Sequence, residues 1–136
     1  MSEEGKTQDR LRVQDVMVRE LHVIDGLATI GEAIAMMKEH DVSSLVVARR
    51  DADDEVGLVE VVDVADPLAE DRPPDRVHVY EVMDKPVVTL PPGMLARYAM
   101  RLLSEMGLSR SVVVDEKRDA VGIVTLRDLV LGSVPD

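Results

Sequence analysis

Ile30, Ala33, Ile34 and Met37 fall at i, i+3, i+4 and i+7, the spacing that lines one face of an α-helix. A second stripe follows at Leu95, Ala99, Leu102, Leu103 and Met106. Thr29 and Glu32 form a capping box before the first stripe. Leu95 and Tyr98 hold those positions in the second, where Pro91-Pro92-Gly93 marks the entry turn instead. Short apolar runs at 21–24 and 86–90 precede the helices and predict strands. Strands at 44–48 with 56–59, and at 111–114 with 121–124, predict hairpins around the charged loops 51–55 and 115–119. Helical turns are expected over 11–17 and 77–83, and closing helices over 61–69, with Pro67 as a breaking point, and 126–131. The result is an α/β chain with mixed sheets, reading β-α-β-β-α twice.

The two halves are copies. Val13, Val16 and Met17 return as Val79, Val82 and Met83, a shift of 83 − 17 = 66. The same shift carries Ser43 onto Ser109 and Val46-Val47 onto Val112-Val113. One loop residue is then lost, and a shift of 65 carries Val56-Gly57 onto Val121-Gly122 and Asp63 onto Asp128. Such a period means two supersecondary units, neither able to bury its apolar face alone. A ligand is expected in the groove where they meet. The boundaries read as a flexible N-terminus 1–10, repeat one 11–66, a Pro- and charge-rich linker 67–76, repeat two 77–132 and a tail 133–136.

Composition narrows the function. The chain has 136 residues, 46% of them hydrophobic, but no Trp, no Phe and only two Tyr, so aliphatic residues and Met must fill the core. Its net charge of −11 opposes a phosphate backbone, and aromatic stacking platforms are nearly absent, so nucleic acid is not an expected partner. Absence of cysteine removes disulfides and thiolate chemistry. No apolar run reaches the roughly 20 residues of a membrane helix, and the start is polar, so no membrane association and a cytoplasmic location are expected. His22, His40 and His78 lack ligand spacing, and no metal is expected. Arg49 and Arg50 lead into an acidic loop and read as its solvated base. No nucleophile–base pair or Walker-type glycine loop appears, so the chain does not read as an enzyme.

Asp15-Val16-Met17, the run from Glu39 to Val47 and Gly122-Ile-Val-Thr-Leu-Arg-Asp128 resemble the cystathionine-β-synthase (CBS) domain. Two in tandem resemble a Bateman module, here standing alone over residues 11–132. The resemblance implies two repeats paired through their sheets about a pseudo-twofold axis, leaving two clefts. It also implies an adenosyl ligand (AMP, ADP, ATP or S-adenosylmethionine), a homodimer, and regulation of an unknown partner protein. Helices 30–40 and 95–106 are expected to contribute much of the dimer interface.

The family's ribose-phosphate motif is Gly-hydrophobic-x-Thr/Ser-x-x-Asp at a strand-to-helix turn. Helix amides attract phosphate, the hydroxyl donates to it, and the carboxylate accepts from ribose. Repeat two matches with Thr125 and Asp128, and by resemblance Arg110 completes a phosphate clamp. Repeat one carries Asp63 but sets Glu60 where phosphate would lie, with Ser44 in place of the arginine. Like charges about 4 Å apart repel by roughly 1 to 4 kcal/mol at ordinary effective dielectrics. By resemblance, Leu21, His22, Val23, Val42 and Ser43 form the adenine wall facing the strong clamp. Val87, Val88, Thr89, Leu108 and Ser109 serve the weaker second cleft with Glu60 and Asp63. Two other readings stand beside these. Thr125 and Asp128 are also ordinary helix caps, and Arg110 also reads as a surface partner of a carboxylate. The alternative function is a ligand-free scaffold for dimerisation or protein association.

Overall fold

A computed structural model describes residues 10–134. Residues 1–9 of the expected flexible N-terminus and residues 135–136 of the tail lie outside the described residues. The elements in order are α1 (Val13–Val16), β1 (Val23–Ile24), α2 (Ile30–His40), β2 (Ser44–Val47), β3 (Gly57–Glu60) and α3 (Val61–Ala69). After a 3-10 turn (Pro74–Arg76) come α4 (Val79–Val82), β4 (Thr89–Leu90), α5 (Ala96–Met106), β5 (Arg110–Val114), β6 (Ala120–Thr125) and α6 (Leu126–Gly132). Two three-stranded mixed sheets result. In each, the first strand runs parallel to the second and the second antiparallel to the third.

Local chemistry explains the helix boundaries. Thr29 Oγ1 accepts from the Glu32 amide at 3.1 Å, and Glu32 returns a bond from the Thr29 amide at 3.3 Å, fixing the start of α2. Asp41 closes α2 in a left-handed conformation, and Gly107 does the same for α5. Pro67 lies buried inside α3 without breaking it. The first strand of each sheet is only two residues long, shorter than the runs 21–24 and 86–90 predict. Before β4 the cause is visible. Pro86 has no amide to give, and the Val88 carbonyl accepts from the Ser111 hydroxyl at 2.6 Å.

The chain forms two compact units, and they cut across the sequence repeats. One joins the stretch up to Glu20 to the chain from Val88 onward; the other is Leu21–Val87. Fully buried Val13 packs with Leu90, Ala99, Leu103, Val124 and Leu129 of repeat two. Val77 and Val79 pack with Ile30, Leu45, Val47 and Val59 of repeat one. The segment that opens each sequence repeat therefore completes the core built on the other repeat's sheet.

Backbone pairing holds these segments down. Val18 and Ile123 exchange hydrogen bonds of 2.8 and 2.9 Å; Asp84 and Leu58 exchange bonds of 2.8 and 3.0 Å. The approach is close enough to favour glycine. A Cβ on Gly122 would lie 2.7 Å from Met17 Sδ and 3.0 Å from the Val18 carbonyl oxygen. One on Gly57 would lie 3.1 Å from the Asp84 carbonyl oxygen and 3.3 Å from Val47 Cβ. The glycine that opens each ribose-phosphate motif thus has a packing cause of its own.

Three residues of the α2 apolar stripe, Ile30, Ala33 and Met37, are buried in the core. Among the described residues, the large exposed apolar side chains include Val61, Val62 and Leu68 on α3, Val130 and Leu131 on α6, and Tyr98 and Met106 on α5. Helix 30–40 contributes none of them, while Ile34 and Met36 on it are partly buried.

Candidate ribose-phosphate turns

In the unit containing repeat two, β5 and β6 pair with Arg110 directly opposite Thr125. Directly opposed residues of an antiparallel pair project to the same face, with Cβ atoms about 5 Å apart. A guanidinium and a hydroxyl are thereby set side by side at the turn into α6. Thr125 Oγ1 accepts from the Asp128 amide at 3.0 Å, so the capping role is real. It does not exclude a second role, because the hydroxyl keeps its proton to donate. Arg110 and Thr125 line an open cavity of about 500 Å³ together with Ser109, Leu126, Arg127 and Val130. Asp128 does not line that cavity; its carboxylate stands 3.9 Å from Arg127 at the start of the helix.

The equivalent turn in the other unit has the same backbone and opposite chemistry. Ser44 stands opposite Glu60. Asp63 accepts from the Glu60 amide at 2.8 Å, turning its carboxylate back onto the turn. Glu60, Asp63 and Asp84 offer carboxylate oxygens within 4.8 Å of one another. Burial raises the pKa of Asp63, the Glu60 amide opposes that shift, and the charge of Asp84 adds to it. Sequence reasoning missed Asp84. It arrives through the long-range pairing with Leu58, and no local spacing signals it.

The remaining candidates divide by unit. Leu21, His22, Val23, Val42 and Ser43 share a unit with Glu60 and Asp63. There the Ser43 carbonyl accepts from the Val61 amide at 3.0 Å, which places Ser43 beside the β3–α3 turn. The His22 ring stacks on His40 with centroids 4.0 Å apart, while Val23 is exposed. Val88, Thr89, Leu108 and Ser109 share the other unit with Arg110, Thr125 and Asp128. The Ser109 carbonyl accepts from the Leu126 amide at 2.8 Å, beside the β6–α6 turn. Val87 is the last residue of the Leu21–Val87 unit.

A family model described as the CBS domain matches residues 13–70 and 79–133. The chain belongs to the CBS domain family and carries two copies of the domain. It is similar to the hexameric CBS-CP12 protein from bloom-forming cyanobacteria, at 30% identity and a TM-score of 0.84 over 90% of this chain and 71% of that one. It is also similar to the CBS domain of a bacterial CNNM/CorC family Mg2+ transporter in complex with ATP. That likeness is 25% identity and a TM-score of 0.78, over 93% of this chain and 89% of that one. A CBS domain pair solved with 5′-methylthioadenosine and S-adenosyl-L-methionine shares the fold, at 24% identity and a TM-score of 0.76 over 88% and 93%. The chain spans 52%, 23% and 38% of the first curated relatives it matches, about half their length or less. Among the described residues, no helix is long and apolar enough to cross a membrane.

Proposed function

We propose that this CBS pair is a regulatory module that binds one adenine nucleotide through Arg110, Thr125 and Asp128 and signals its occupancy to a partner protein. The observation that carries the reading is the contrast at one register position: Arg110 opposite Thr125 in one sheet, Ser44 opposite Glu60 in the other. The first pair supplies a fixed cation and a hydroxyl donor for phosphate. The second sits among three carboxylates that repel it. Asp128, one turn into α6, supplies the ribose acceptor. The transporter CBS domain in complex with ATP supports an adenosyl ligand of this class. The ligand acts by population shift, favouring whichever conformation binds it more tightly.

The exposed apolar side chains of α3 and α6 and the hexameric relative support self-association as a companion property. They equally favour the second reading, a scaffold that associates without ligand. A thermal-shift panel of AMP, ADP, ATP and S-adenosylmethionine separates the two. A ligand at about 100 times its dissociation constant stabilises the folded state by about 2.7 kcal/mol. A melting temperature unmoved by all four leaves only the scaffold.

A further inference from the structure

A cavity of about 780 Å³ opens in the Leu21–Val87 unit where the end of β2, the loop 25–27 and the segment from α4 to Lys85 converge. Its floor is apolar: Val47 is buried and Met83 half-buried. Tyr80 forms one wall, half-exposed, with its ring stacked on His78 at 5.3 Å. Three cations, Arg49, Arg50 and Lys85, stand around it. Arg49 and Arg50 lie at the base of the loop after β2, as expected, with Arg50 exposed, and both also line this space.

Two of the three cations, Arg50 and Lys85, are tied to Asp54. Asp54 accepts from Lys85 Nζ at 2.6 Å and from Arg50 Nε at 3.2 Å, and the Arg50 amide donates to the same oxygen at 2.8 Å. These contacts draw the Asp54 pKa far down and keep the carboxylate ionised. An ammonium has three donors and a guanidinium five, so both keep donors beyond those Asp54 receives. The lining carboxylate, Asp25, accepts from the Leu27 amide at 2.8 Å. The lining thus carries three cations and one carboxylate, with Asp54 bonded to two of the cations, in a chain of net charge −11.

The duplication separates what the fold needs from what this place adds. At a shift of 66, Arg49 and Arg50 correspond to Asp115 and Glu116, and Tyr80 corresponds to Gln14. Asp115 serves its hairpin by accepting from the Lys117 and Asp119 amides at 2.9 and 3.0 Å. In repeat one Asp51 and Asp54 do that work from within the loop. The hairpin backbone therefore requires no cation at positions 49 and 50, and α4 requires no aromatic ring at position 80.

We infer that this cavity is a second small-molecule site, distinct from the ribose-phosphate turns, for an organic anion with a flat apolar body. The floor and the Tyr80 ring take the body, and Arg49, Arg50 and Lys85 take the charge. The test is amide NMR on the whole chain, titrated separately with phenyl phosphate, phenol and inorganic phosphate. Phenyl phosphate is expected to give saturable shifts gathered at Gly26, Leu27, Ala48 and Tyr80, and to bind at least tenfold more tightly than either fragment. Arg49→Glu with Arg50→Glu, which installs the charge signs of repeat two, is expected to weaken it at least tenfold. The milder Arg49→Gln, which leaves the Arg50–Asp54 contact in place, should weaken it severalfold. Lys38→Glu, which removes a cation on α2, should change nothing. Equal affinity for phenol, shifts scattered over the surface, or shifts gathered instead at Arg110 and Thr125 would overturn the inference.

Discussion

Gly122→Ala tests the arrangement in which the opening segment of one repeat completes the core of the other. Alanine in place of glycine ordinarily stabilises by about 0.4–1 kcal/mol where the backbone tolerates it, by narrowing the unfolded ensemble. Gly122 is not in a left-handed conformation, so that gain applies. Against it stands a Cβ placed 2.7 Å from Met17 Sδ, 3.1 Å from Met17 Cγ and 3.0 Å from the Val18 carbonyl oxygen. Met17 can swing aside, but the Val18 carbonyl is tied to the Ile123 amide at 2.9 Å and must take its backbone segment with it. Overpacking of this kind costs about 1–3 kcal/mol. The net expectation is a loss of about 1 kcal/mol, or a few degrees in melting temperature for a chain this size. Gly93→Ala is the internal control. A Cβ at Gly93 would meet nothing within 4 Å, so this change should be neutral or stabilising by up to about 1 kcal/mol. Urea denaturation with fitted m-values measures both. In a Met17→Ala background the cost at Gly122 should shrink without vanishing, because the carbonyl contact remains. A Gly122→Ala protein as stable as Gly93→Ala would refute the close approach.

Three further outcomes follow from the same geometry. Val13→Ala removes two methyl groups from a fully buried site and should destabilise by about 2 kcal/mol, read by urea midpoint, despite lying beside the N-terminal end of the chain. Asp63 and Asp54 should respond to pH with opposite signs in melting curves. The Asp63 pKa is raised above its ordinary 3.8, so its ionised form disfavours folding; Asp63→Asn should gain on the parent as pH rises through and above 3.8. The Asp54 pKa is lowered, so its contribution is present above 3.8 and lost on acidification; Asp54→Asn should be the weaker protein at neutral pH and converge with the parent in acid. Leu131→Asp, at an exposed site on α6, should leave the fold intact and lower the oligomeric mass seen by light scattering.

Periodicity made the architecture legible. The stripe from Ile30 to Met37, the Thr29–Glu32 box and the paired valine runs correspond to α2 and the two sheets as observed. The chemistry at the turns was legible as residue type: Thr125 against Glu60 is visible in the bare motif, and the structure adds that each stands opposite a residue of matching consequence, Arg110 or Ser44. What stayed hidden is long-range. Val13 and Val79 each lie next to their own repeat in sequence and pack in the core of the other. Asp84 joins Glu60 and Asp63 through a backbone bridge across 26 positions (84 − 58), which no helix or strand period encodes. Arg49 and Arg50 are loop residues, as they read in the sequence, but only the fold brings Tyr80 and Lys85 to the same cavity. The brevity of β4 is intelligible afterwards from Pro86 and from the Ser111 hydroxyl, but the apolar run gives no hint of it.

The central claim is that one turn of the duplicated pair binds an adenine nucleotide and the other repels it. Calorimetric titration of AMP into the parent chain and into Asp128→Ala, Arg110→Ala and Glu60→Thr tests it directly. One strong site per chain is expected in the parent. Asp128→Ala should abolish most binding, and Arg110→Ala should weaken AMP while sparing adenosine, which has no phosphate to lose. Glu60→Thr should leave the strong site intact and, by relieving the repulsion, allow a second. Two equal sites in the parent, or unchanged affinity in Asp128→Ala, would contradict the account.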